Sequence, residues 1–160
     1  MGHFLVASND EVVFARVIGL GTMNNTVSLK QFLDGQRERG FRKFVFDLSK
    51  CDGFDSTFMG ILLGIALREA SVILVNLKNP QRKLLTDVGI HRVVKVCKSS
   101  VSFPDVSMQK LESQRVETRT RLQNMIEAHD NLVQVDPRNQ AKFGAFLETL
   151  RQELGEGSPL

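Results

Sequence analysis

Phe46-Asp47-Leu48-Ser49-Lys50-Cys51-Asp52-Gly53-Phe54-Asp55-Ser56-Thr57-Phe58-Met59-Gly60 is where a strand gives way to a helix, and this junction decides the fold. Phe44–Leu48 is a nearly continuous apolar run of strand length, the pattern of a strand covered on both faces. The stretch from Ser49 to Phe54 reads as a loop. Asp55 then offers a carboxylate cap to a helix carrying Phe58, Met59, Ile61, Leu62, Leu63, Ile65 and Leu67. That helix is apolar around most of its circumference, so it belongs inside the molecule.

On the N-terminal side, the apolar run at 4–7, the turn residues Ser8-Asn9-Asp10 and the β-branched run at 12–18 read as a hairpin. Gly19-Leu20-Gly21 ends its second strand. Thr26 or Ser28 can cap a helix with Val27, Leu29, Phe32 and Leu33 at helical spacing, and Gly40 closes it. On the C-terminal side, residues 72–75 form the next strand, Pro80 suits the first turn of a third helix, Gly89 ends that helix, and 93–97 is a last short strand. A hairpin followed by alternating strands and helices predicts an α/β domain built on a mixed sheet. From about Val106 to Asn131 the pattern turns helical and charged. Met108, Leu111, Leu122, Met125 and Leu132 lie at 3–4 spacing, and Arg115, Thr118 and His129 interrupt the stripe. Asp136-Pro137 breaks it. A second helix follows with Phe143, Leu147, Leu150 and Leu154, then a frayed tail from Gly155 to Pro159.

Composition narrows the function. The 160 residues are 42% hydrophobic and 24% charged, values of an ordinary globular chain. The net charge of +3 is not gathered into a patch, and there is no Trp or Tyr to stack on bases, which argues against nucleic-acid binding. Nothing approaches the roughly 20 apolar residues of a membrane span, and Met1-Gly2-His3-Phe4 does not open a secretory signal. Cys51 and Cys97 lack CxxC spacing and fit a reducing compartment. The expectation is a cytoplasmic protein that binds neither membrane nor nucleic acid.

The segment from Phe46 to Gly60 resembles the corresponding loop of STAS domains in anti-sigma factor antagonists, where a strand ending in Asp-Leu-Ser is followed by Asp-Ser-Ser/Thr at a helix start. Gly19 followed by Thr26 and Leu29-Lys30-Gln31, and Asn79-Pro80 through Gly89-Ile90, have similar order and spacing, so the resemblance runs over residues 4–113. It implies a STAS-like mixed β-sheet with helices mainly on one face, over residues 1–105, plus a C-terminal helical extension over 106–160. It also implies a non-enzymatic interaction switch of a bacterial partner-switching pathway. Ser56 is then the phosphorylation site, Asp55, Ser56, Thr57, Phe58, Thr22 and Asn24 meet the partner, and that partner is an anti-sigma factor with serine kinase activity. The chain departs from the pattern at Phe58, where the family has Gly, and at Gly19-Leu20-Gly21-Thr22, where it has an acidic pair. Leu20, Thr22 and Phe58 favour a rival reading, a STAS scaffold or small-ligand-binding domain that is not phosphorylated.

Independently of the resemblance, a hydroxyl in the first turn of a helix sits near unpaired N–H groups and the positive end of the dipole, where a phosphate is tolerated. A rival of another class is a small-molecule-binding or catalytic domain using the loops Thr22–Asn25 and Cys51–Ser56. No catalytic residue is assigned. His3, His91 and His129 have no ligand-spaced companions, so no metal site is expected, and Gly19-Leu20-Gly21 lacks the third glycine of a dinucleotide fingerprint, so no cofactor is. The two tail helices have stripes too narrow to stand alone. Leu122, Met125, Phe143, Phe146, Leu147 and Leu150 should therefore be buried against the sheet domain or against a second subunit, the homodimer being slightly preferred.

Overall fold

In the computed structural model, residues 1–102 and 107–156 are described. The chain runs β1 (His3–Ser8), β2 (Val12–Gly21), α1 (Thr26–Glu38), β3 (Lys43–Asp47), β4 (Cys51–Phe54), α2 (Ser56–Ala66), β5 (Ser71–Val75), α3 (Asn79–Asp87), a 3-10 turn (Ile90–Arg92), β6 (Lys95–Val96), β7 (Gln109–Lys110), α4 (Thr118–Val135) and α5 (Asn139–Glu156). The seven-stranded sheet has the order β6-β5-β3-β2-β1-β7, with β4 joined to the end of β2. β1 and β2 form the antiparallel hairpin, β7 lies antiparallel to β1, and β2, β3, β5 and β6 run parallel. The fold is the expected mixed α/β sheet.

Strand alternation puts Val13, Ala15, Val17, Phe44, Phe46, Val72 and Leu74 on one face, where they join Leu29 and Leu33 of α1 and Ile61, Leu62 and Ile65 of α2 in a single core. The other face of β3 is not covered in the same way, contrary to the expectation of a strand buried on both sides. Val45 is half-buried, and Asp47 meets Arg16 of β2 at 2.9 Å. Burial pushes the Asp47 carboxyl up, but hydrogen bonds from Asn76, Ser49 and Arg16 outweigh it and hold the pKa below its usual value.

Three local readings need correction. Neither Thr26 nor Ser28 caps α1. The N-cap is Asn25, whose side chain serves the preceding turn by accepting the Thr22 N–H at 3.0 Å, while Thr26 is fully buried. Cys51–Phe54 is a strand and not a loop, because its backbone pairs in parallel with Gly19–Gly21. Residues 107–117 are not helical. The Gln109–Lys110 pair extends the sheet, the Leu111 N–H reaches the Phe4 carbonyl at 2.8 Å, and helix begins only at Thr118. Gly155 and Glu156 still belong to α5. The expected boundary at 105/106 and the rest of the frayed tail, 157–159, lie outside the described residues. β7, α4 and α5 nevertheless all pack onto elements that precede the boundary or onto each other.

Candidate functional site

The site begins with two glycines. Gly19 adopts φ +73°, a conformation that a side chain would strain, and it lets β2 bulge as it meets β4. At Gly21 a Cβ would lie 2.8 Å from the Phe58 ring. The paired ends of β2 and β4 thus bring the loop 22–25 beside the start of α2, and the Asp55 N–H donates to the Gly21 carbonyl at 3.1 Å.

Asp55 fastens both sides of this junction. Its Oδ1 accepts the Phe58 N–H at 2.9 Å as the N-cap of α2, and its Oδ2 accepts the Met23 N–H at 2.8 Å. Thr22 is half-buried, and its Oγ1 accepts the N–H of exposed Asn24 at 3.3 Å. Asp55, Ser56, Thr22 and Asn24 therefore gather at one end of the sheet with some surface available. Thr57 and Phe58 do not share it. Thr57 is 2% exposed and Phe58 is fully buried, with its ring 5.4 Å from Phe54 and 6.3 Å from Phe4. A helix start that buries its second and third side chains in the core shows only its first, so of the expected partner contacts Thr57 and Phe58 lie inside the domain in this structure.

That first side chain is held by a residue 73 positions away. The half-buried Ser56 hydroxyl and the Nε2 of His129, on α4, are 2.7 Å apart. The His129 Nδ1 lies 2.7 Å from the Met125 carbonyl oxygen, which can only accept, so Nδ1 carries the proton. In the neutral ring Nε2 is then the acceptor, and the Ser56 O–H donates to it. Burial lowers the His129 pKa below its ordinary value, while the Met125 carbonyl and the charges of Asp55 and Asp130 act in the opposite direction. The ring is fully buried, with Phe143 and Phe146 of α5 edge-on at 5.2 and 5.1 Å.

The rest of α4 lies against α2 at backbone range. A Cβ at Gly60 would run into the Ala128 carbonyl, and one at Gly64 would lie 2.7 Å from the Asn131 side chain, which donates to the Gly60 carbonyl at 3.1 Å. Glu127 closes the seam with Lys30 of α1 at 3.4 Å and Arg68, just after α2, at 2.9 Å, and both cations also pair with Asp34. The tail stripe is buried within its own chain: Met125, Leu147 and Leu150 are under 9% exposed, Leu122 and Phe143 are half-buried, and Phe146 is 41% exposed. Elements of the same chain thus cover much of this stripe.

Sequence reasoning missed His129 and the Gly60/Gly64 seam. The four-residue spacing of the glycines was a readable sign of close helix packing, whereas nothing local couples His129 to Ser56. Cys51 is buried, which raises its pKa and makes it inert. Among the described residues no three His, Cys, Asp or Glu side chains could hold a metal, and no helix is long and apolar enough to cross a membrane. A cleft of about 400 Å³ lined by Asp10, Arg39 and Lys43 lies at the opposite end of the strands from Ser56.

No protein-family model matches the chain, and no curated protein does. Among solved structures, the unphosphorylated form of the anti-sigma factor antagonist SpoIIAA is similar, with a TM-score of 0.50 and 18% identity over 60% of this chain and 87% of that one. The phosphorylated form of SpoIIAA, a Bacillus cell fate determinant, gives 0.49 and 19% over 59% and 91%. An uncharacterized protein with a SpoIIAA-like fold from Shewanella loihica gives 0.43 and 15% over 62% and 89%. The likeness to the first establishes a SpoIIAA-like α/β fold.

Proposed function

We propose that the chain is a non-enzymatic, cytoplasmic protein-interaction switch whose control point is Ser56, phosphorylated by an anti-sigma factor with serine kinase activity in a bacterial partner-switching pathway. The observation that carries this reading is the position of the Ser56 hydroxyl, in the first turn of α2 and at the seam with α4. A phosphate there adds about −1.5 to −2 charges and removes the proton that Ser56 donates to a neutral, buried imidazole. The local consequence is loss of the α2–α4 contact at its N-terminal end, and the readout is a changed surface around Asp55, Thr22 and Asn24. Partner specificity, on this reading, lies in that loop surface, with exposed Leu20 and Met23 beside it.

The test is incubation with ATP and the serine kinases of the source organism, followed by mass spectrometry and a pull-down of the bound kinase. Phosphate on Ser56 that disappears in Ser56→Ala, with partner binding lost on phosphorylation, supports the switch. Partner binding with Ser56 left unmodified supports the second reading, a STAS scaffold without phosphorylation. That reading is favoured by the burial of Thr57 and Phe58 and by the engagement of Ser56 with His129.

A further inference from the structure

We propose that Ser56 and His129 are a nucleophile–base pair, making Ser56 intrinsically reactive toward electrophilic phosphoryl groups whose charge is neutralised. Three features of the geometry carry this. Ser56 Oγ and His129 Nε2 stand at 2.7 Å, the distance at which a base takes a hydroxyl proton. The base is itself oriented, since Nδ1 is fixed to the Met125 carbonyl in the tautomer that leaves Nε2 free to accept. And Ser56 keeps partial exposure while His129 has none, so an electrophile can approach the oxygen while the base works from the protein side.

The step balances simply. The Ser56 O–H proton passes to Nε2, a bond forms between Oγ and phosphorus, and the leaving group departs with the electron pair of its former bond to phosphorus. The event is stoichiometric: Ser56 is an acceptor that keeps the group. Asp55 sets the donor class. Its carboxylate lies one residue away and disfavours a free anionic donor, whereas an esterified or metal-neutralised phosphoryl group escapes that repulsion. The charged groups acting on His129 are Asp55 from the start of α2 and Asp130 from α4, and α5 presents the rings of Phe143 and Phe146 to it. Burial keeps the imidazole neutral, and so able to accept a proton, down to a lower pH than an exposed histidine.

The inference goes beyond the switch, since it concerns the chain alone, without kinase or ATP. Full-length protein is treated with a neutral fluorophosphonate probe, whose leaving group is fluoride, and labelling of Ser56 is followed by peptide mass spectrometry across pH 5–8. Expected is labelling of Ser56, absent in Ser56→Ala and slowed about 100-fold or more in His129→Gln, the usual contribution of a general base. The wild-type rate should fall as pH drops, with its inflection below 6.5, the ordinary histidine value. Should His129→Gln fail to fold, the wild-type pH profile decides. An unlabelled Ser56, equal rates in folded His129→Gln, or a flat profile would reduce the pair to a structural tether and overturn the proposal. None of these outcomes bears on whether a kinase modifies Ser56.

Discussion

The Ser56–His129 hydrogen bond joins two groups that would each find water in an unfolded chain, so its net contribution is modest while its loss is not. Ser56→Ala leaves the fully buried His129 ring with an acceptor nitrogen and no donor. The expected cost is about 1–3 kcal/mol, the penalty of an unsatisfied buried polar group, read as a lower urea midpoint with an unchanged slope. The same burial fixes a pH dependence. Folding lowers the His129 pKa from 6.5, so as pH falls the unfolded chain takes up this proton before the folded one does. Stability due to neutral His129 is thus complete above the unfolded value and is lost as pH falls through the folded one. Unfolding free energies at pH 8 and pH 5 should differ more in the wild type than in His129→Gln, and parallel behaviour of the two proteins would show that the ring does not titrate as described.

At the scale of elements, the seam between α2 and α4 is set by small residues. Gly60→Ala forces a methyl group into the Ala128 carbonyl, so α4 must move away or α2 must twist. Overpacking of this kind costs about 1–3 kcal/mol, enough to outweigh the gain of about 1 kcal/mol that Ala has over Gly in a helix. Gly35→Ala in α1 meets nothing within 4 Å and serves as the contrast, expected neutral or slightly stabilising by thermal melting. Asp136, at the turn between α4 and α5, is held at a pKa of about 2 by the Arg138 guanidinium, and its carboxylate lies against Gly89. A depressed carboxyl contributes stability that is full above its ordinary 3.8 and lost as pH falls through about 2, so Asp136→Asn should flatten the acid limb of the stability curve below pH 4. These contacts also show what the sequence could and could not reveal. The mixed sheet and its N-terminal hairpin followed from alternation and glycine punctuation, and the Asp55 cap followed from its place before an apolar run. α4 was legible as a helix, but His129 was read as a flaw in its apolar stripe. Close packing onto Gly60 instead selects small and polar residues there, and Ala128 and His129 are fully buried. Met108 and Leu111 imitated helical spacing in a segment whose backbone bonds are spent on β1, and Cys51–Phe54 looked like a loop because Asp52 and Gly53 are turn formers.

For the molecule as a whole, the C-terminal helices decide whether α2 is an interior helix. One side of α2 joins the sheet core, while the line Ser56, Gly60, Gly64 lies under α4, and helical geometry places Met59 and Leu63 beside that line. Both side chains are buried, at 5% and 0% exposure, and Leu132 of α4 is buried in the same core. Burying such a side chain is worth about 1.5–3 kcal/mol, so uncovering even two of them rivals the 5–15 kcal/mol that typically holds a domain folded. Truncation after Glu112 keeps β7 but removes α4 and α5, together with the Glu127 pairs to Lys30 and Arg68. The truncated chain should bind an apolar dye, melt well below the full-length protein, and aggregate or self-associate through the bared α2. The intact chain, having covered that face itself, should sediment as a monomer at high concentration. A truncated protein that stays monomeric and melts with the parent would mean that the extension merely rests on the sheet domain, and a full-length dimer would mean that a second chain covers surface the fold leaves open.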